Sequence, residues 1–214
     1  MSTSTITVGS NTYTLVSLPG WPGPADMVLE MNDAIASVQS PYVPSQIQTQ
    51  EWVGADGWAG QITMPPLSND QAADWEGFLA ALRGKLNVFQ IGDPRRAHPR
   101  GQARGVPVTA SGNTALSHTL LTTGWTANIA RLLLRGDMLQ LGYHLYRVTD
   151  TVSSDGSGNA TIPVWPCLRE APSLAQQVIF SAPVGLWRLA ENKRQAQFSK
   201  QRLTAVSFKI VEAR

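Results

Sequence analysis

The stretch Leu132–Pro172, LLLRGDMLQLGYHLYRVTDTVSSDGSGNATIPVWPCLREAP, most narrows what this chain can fold into. Its apolar runs are short and are cut at close intervals by Gly, Pro, Asp and Asn, residues that turn the backbone. Arg135-Gly136-Asp137 opens it as a turn, and Gly142-Tyr143-His144 joins Leu139/Leu141 to Leu145–Val148. Asp155-Gly156-Ser157-Gly158-Asn159 reads as a hairpin loop, because Gly adopts positive φ freely and Asp and Asn bond their own backbone. Alternation resumes over Ala160–Trp165. Pro163 has no N–H to give a ladder, which predicts an edge strand or one with its N–H side free. The economical reading is a small antiparallel barrel or sheet.

Upstream, Ile6–Val8 and Tyr13–Val16 flank a Gly-Ser-Asn turn and predict a two-strand start. Leu18–Pro24 is a rigid connection that no helix enters. Met27–Ser40 fits either a helical turn or a strand, closed by Pro41 and Pro44. Gln46–Met64 predicts a hairpin turning at Gly54-Ala55-Asp56-Gly57. Residues 68–83 predict a helix: Ser68 and Gln71 form a capping box, and Ala72, Trp75, Phe78, Leu79 and Leu82 fall on one face. Gly84 suits its left-handed stop. Gln177–Phe180 and Leu186–Leu189 are longer apolar runs, and further strands are predicted over Leu86–Ile91, Val106–Gly112, Leu116–Leu121 and Leu203–Val211. In the last of these Val206, Phe208 and Ile210 form the apolar face.

One helix among many strands makes the class mostly β, with one helix packed on a sheet. Punctuation near 92–105 and 166–173 brackets a segment of compact domain size. The expected organisation is a core β domain from 1–92 plus 173–214, a small barrel inserted at 106–170, and connections at 93–105 and 171–172.

Charged residues make up 15% of the chain, below the usual quarter, so part of the surface is expected to be polar without charge or covered by other subunits. Seven Trp fit either a buried contact surface or a scattered core. A net charge of +2 is too small to imply nucleic-acid binding without clustering. Clustering does occur in Arg95–Gly105, RRAHPRGQARG, which carries four Arg and no acid. That loop suits phosphates or the acids of a neighbouring subunit; lacking interleaved aromatics, it fits the protein partner better. Cys167 is the single cysteine, which excludes an internal disulfide or a cysteine cluster within one chain. Met1–Asn11 lacks the charge and apolar segment of a secretory leader, and no apolar run approaches the roughly 18 residues that cross a bilayer. The expectation is a soluble protein made in the cytoplasm, without membrane insertion.

No catalytic, cofactor-binding or metal-ligating residue can be assigned. His98, His118 and His144 show no ligand spacing and are expected at the surface or in turns. Asp74 and Glu76 point to different sides of the helix. Arg135-Gly136-Asp137 matches an integrin-binding tripeptide but is expected to be a turn entering a strand.

The order of features resembles one family. WAGQITMPPL (58–67), DQAADWEGFLAALRG (70–84), NVFQIGDP (87–94), the Arg/Gly loop, GDMLQLGYHLYRVT (136–149), DGSGNATIPVWPCLREAP (155–172) and VGLWRLAENK (184–193) follow one another as in distal tail and tail-tip structural proteins of long-tailed phages and prophages. The resemblance covers about residues 45–193. It implies a non-enzymatic virion protein without cofactors. Its core β-sandwich would resemble the tail-tube subunit and form a ring, usually a hexamer, between tail tube and hub. Its implied neighbours are further copies, the tube, the hub and the tape measure protein, with DNA only in transit through the lumen. Some relatives carry a carbohydrate-binding appendage, so the alternative is a glycan-binding module stacking sugars on Trp21, Trp125 or Trp165. The short insertion counts against it. Another relative holds an iron–sulfur cluster on several cysteines, which one Cys167 cannot provide.

Overall fold

The computed structural model describes residues 2–193, 197–198 and 204–214. The fold is mostly β with one α-helix. The chain runs through β1 (Thr3–Val8), β2 (Asn11–Val16), β3 (Asp26–Asn32), β4 (Ile35–Gln39), β5 (Ile47–Glu51), β6 (Gly57–Thr63), α1 (Asn69–Ala81) and β7 (Phe89–Ile91). It continues through β8 (Gly105–Thr109), β9 (Thr119–Trp125), β10 (Met138–Leu141), β11 (His144–Val148), β12 (Ala160–Trp165) and β13 (Val178–Ile179). Last come β14 (Gly185–Leu189), the short pair β15 (Gln197–Phe198) and β16 (Thr204–Ala205), and β17 (Ser207–Glu212).

Two sheets carry most of the structure. Five strands in the order β3-β6-β17-β14-β7 form one, and six in the order β13-β10-β11-β12-β9-β8 form the other. The six-stranded sheet curls until Val108 of β8 bridges Gln177 beside β13, so it is nearly a closed barrel. All six of its strands lie in the chain between β7 and β14, which are neighbours in the other sheet. The run Gln177–Phe180, assigned from sequence to the segment 173–214, supplies β13 and pairs with β10.

Helix α1 begins where its chemistry predicts. The Ser68 N–H donates to Gln71 Oε1 at 3.0 Å, and Gly84 takes φ +70° just past the end. Its buried face, Ala72, Trp75, Phe78 and Leu79 with Leu82 beyond, packs on Ile62, Phe89, Phe208 and Ile210 of the five-stranded sheet. Trp75 meets Phe78, and Phe78 meets Phe89, edge to face at 5.5 and 5.4 Å. The other face of that sheet holds a smaller cluster of Val88, Leu186 and Ala213 under Val8 from β1. The hairpin β1–β2 also caps one sheet edge, since Val16 N–H donates to Val88 O and Val88 N–H to Thr14 O.

Three local expectations are corrected. The predicted hairpin at Gln46–Met64 does not form: β5 pairs with β4 and β6 with β3, so the reversal lies at residues 40–46, between Pro41 and Pro44. Gly54–Gly57 is instead a step in the returning strand, where buried Asp56 turns inward to bind the other sheet. This pairing also makes Met27–Ser40 two strands. Secondly, β12 is an interior strand, which removes the edge alternative offered for Pro163. Its first part pairs with β9 and its last two residues with β11, so Pro163 falls where one partner gives way to the other. Thirdly, His144 is buried rather than at the surface. Leu203 of the predicted final strand lies outside the described residues.

Phe78→Ala removes a fully buried ring on which both Trp75 and Phe89 rest. Denaturant unfolding of this variant is expected to show a loss of about 3–5 kcal/mol with an unchanged m-value.

Candidate functional site

A buried ionic cluster joins the two sheets. Glu212 on β17 points towards the barrel. Its carboxylate takes two bonds from Arg169, from Nη2 at 2.6 Å and Nε at 3.1 Å. Arg169 Nη1 reaches Asp56 Oδ1 at 3.2 Å, and the other Asp56 oxygen accepts the Cys167 N–H at 2.9 Å. His144 Nδ1 lies 3.6 Å from Glu212 Oε1, a longer contact than either Arg169 bond. Burial disfavours the charged form of Glu212. Contacts from His144 and Arg169, of which Arg169's are the shorter, outweigh it and hold the carboxyl at about 2, down from 4.5. Burial pushes the Tyr146 phenol and, together with Asp56, the Cys167 thiol upward, so both stay protonated. A protonated, fully buried thiol is the reverse of an activated nucleophile. The chemistry of this cluster is to fasten one sheet to the other. Next to it, Trp58 Nε1 donates to Leu145 O at 2.8 Å, and the Trp58 ring meets Trp165 edge to face at 4.7 Å.

The outer surface carries two features. Residues 95–104 run alongside 131–136, tied by Gln102 N–H to Arg131 O and Arg96 Nη1 to Gly136 O. Asp137 pins the two together: its carboxylate, 1% exposed, accepts from Leu134 N–H, Arg100 N–H and Arg100 Nε. An aspartate so enclosed cannot be presented to an integrin. The result is a strip carrying Arg95, Arg96, Arg100, Arg104, Arg131 and Arg135. The acids that meet it within the chain are Asp93, Asp137 and Asp150.

The second surface feature is an arm. Strands β3 and β6 leave the five-stranded sheet and continue as β4 and β5, which pair only with each other. Its root is held to the barrel by Trp165 Nε1 to Asp33 Oδ1 at 2.7 Å and by Arg147, whose guanidinium lies over Trp58 and touches Met31 Sδ. Beyond the root both faces of the arm are exposed, with Val38 at 68%, Tyr42 at 91% and Ile47 at 60%. An isolated two-stranded ribbon is marginal in water, and β3 leaves its outer edge without a ladder partner among the described residues.

Of the tryptophans proposed as sugar platforms, Trp125 is buried, its Nε1 bonded to Thr122 Oγ1 at 2.8 Å and its ring against Phe180. Trp165 is half-buried against Trp58, and Trp21 is exposed. A groove of about 480 Å³ at the barrel is lined by hydroxyl and amide side chains such as Ser111, Thr151, Ser153 and Asn159, with no aromatic ring.

Sequence reading missed the ionic cluster, because Asp56, His144, Arg169 and Glu212 lie far apart in the chain and share no spacing. It also passed over a charge division that counting reveals. Residues 1–82 contain eight carboxylates and no Lys or Arg; all seventeen Lys and Arg lie in 83–214 with the other seven carboxylates. No protein-family model matches the chain, and no curated protein matches it.

Because the folded Glu212 carboxyl titrates below its unfolded value, its contribution is present above pH 4.5 and lost as pH falls towards 2. Unfolding free energy is expected to drop by roughly 3 kcal/mol across that window. Glu212→Gln, measured the same way, is expected to lose that segment of the pH profile and to be less stable at pH 7, since Arg169 is left short of charge. Separately, Asp137→Ala removes the acceptor of four donors, the N–H groups of Leu134, Arg100 and Gly101 and Arg100 Nε, and is expected to cost about 2–4 kcal/mol, with faster amide exchange at Arg100 and Leu134.

Proposed function

We propose that this protein is a structural component of a long-tailed phage tail tip, forming a ring of identical subunits between tail tube and hub. The exposed arm carries the reading. Apolar side chains on both faces of a two-stranded ribbon, extended from an unprotected sheet edge, call for cover by another protein surface. Low charge content agrees with subunits covered on several sides. The sealing of the one buried ionic cluster among the described residues agrees with a structural rather than a catalytic part. On this reading the five-stranded domain corresponds to the tube-like core of the family it resembles, and the barrel is the appendage facing neighbouring tail-tip proteins. The lumen admits DNA in transit only.

Imaging of purified tails that carry a tag on this chain tests the role. The expected result is a single ring of density, with tag copies equal to the ring symmetry, at the end of the tube. A tag found along the tube, in the capsid or absent from particles contradicts it.

A further inference from the structure

We propose that the ring contact is head-to-tail and electrostatic: the acidic β3 face and arm of one copy dock on the arginine strip of the next. The inference rests on the ring reading above and names the two surfaces that make it.

Charge complementarity points to this occupant. The arm side carries Asp26, Glu30, Asp33 and Glu51 in a segment that has no cation of its own. Asp33 and Glu51 are met within the chain by Trp165 and His118, whereas Asp26 and Glu30 are exposed and without an ion-pair partner among the described residues. On the strip, Arg104 and Arg131 are likewise exposed and have no carboxylate partner among the described residues. The strip is held in shape by Asp137 and the backbone bonds to 131–136, so it presents its guanidinium groups without needing to be ordered first. Exposed Val28 lies between Asp26 and Glu30, with Met31 and the apolar arm beyond. That mixture suits a protein partner with an apolar floor and a basic rim. Nucleic acid would satisfy the arginines but leave the arm uncovered, and Asp93 and Asp150, set among the arginines, oppose a phosphate backbone. Arm and strip are different surfaces, so each copy uses one of each. Such a contact closes into a ring when the rotation between copies allows.

The test uses the full chain and two surface variants, Asp26→Lys/Glu30→Lys and Arg104→Glu/Arg131→Glu. Thermal unfolding establishes that both remain folded, and light scattering with sedimentation velocity follows assembly. The wild type is expected to form a closed oligomer that weakens as salt rises. Each variant alone is expected to lose self-association by about a hundredfold or more, because like charges now face each other. An equimolar mixture of the two is expected to assemble again, since each reversed surface then meets a reversed partner. Variants that assemble like the wild type would overturn the arm–strip contact while leaving the ring itself standing. A mixture that stays monomeric would also overturn the contact. A wild type that is monomeric at every concentration would remove both the contact and the ring. A duplex DNA probe that binds the wild type and the Asp26/Glu30 variant equally, but not the Arg104/Arg131 variant, would assign the strip to nucleic acid instead.

Discussion

Everything at the junction of the two sheets hangs on the Arg169–Glu212 pair. A bidentate guanidinium–carboxylate bond in a buried site is only tolerable when the remaining charges are met, and here Asp56 takes the third guanidinium nitrogen. The pair joins the last strand of one sheet to the β12–β13 connection of the barrel. Asp56 brings in the base of the arm, and His144 the barrel wall. Placing a full ion pair where aliphatic side chains would pack equally well gains little stability. It does fix orientation, because two parallel N–H···O bonds admit one arrangement. The proposed ring, in which the arm meets a neighbour at a set angle, would need that fixity.

The arm's exposure makes sense in the same terms. One edge of the five-stranded sheet is closed by the β1–β2 hairpin through Val88, the usual protection against edge-to-edge association. The opposite edge is left open and extended. Protection of one edge and extension of the other, among the described residues, suit the one-directional association proposed above. Charge works alongside it, since Asp26, Glu30, Asp33 and Glu51 sit on the extending side and six arginines on the strip formed by 95–104 and 131–135. In the proposed ring this would favour head-to-tail contact over face-to-face contact, in which like charges would oppose each other.

How much of this was legible in the sequence follows from the range of each interaction. The helix was readable because its cap, periodic face and Gly stop all lie within one short stretch. The β class was readable from Gly and Pro spacing. Strand partners were not. Alternation says which side of a strand is buried but not which strand lies beside it, so Gln46–Met64 looked like a hairpin when its halves belong to two different pairs. Val178–Ile179 is short enough to suit either sheet, and its place was decided by barrel closure rather than by its own residues. Pro163 predicts an edge strand or one with its N–H side free; the edge alternative falls, because an interior strand accommodates it by changing partner there. The ionic cluster was out of reach for the same reason: its members come together only after both sheets have formed. The charge division, by contrast, was visible all along and required only counting by segment.

Amide hydrogen exchange of residues 35–51, followed across a dilution series of the full chain, addresses the central claim most directly. The account predicts slow exchange in this arm at high concentration and fast exchange on dilution, with a parallel change along residues 95–104 and none in α1. Fast exchange of the arm at every concentration, or protection that does not depend on concentration, would contradict it.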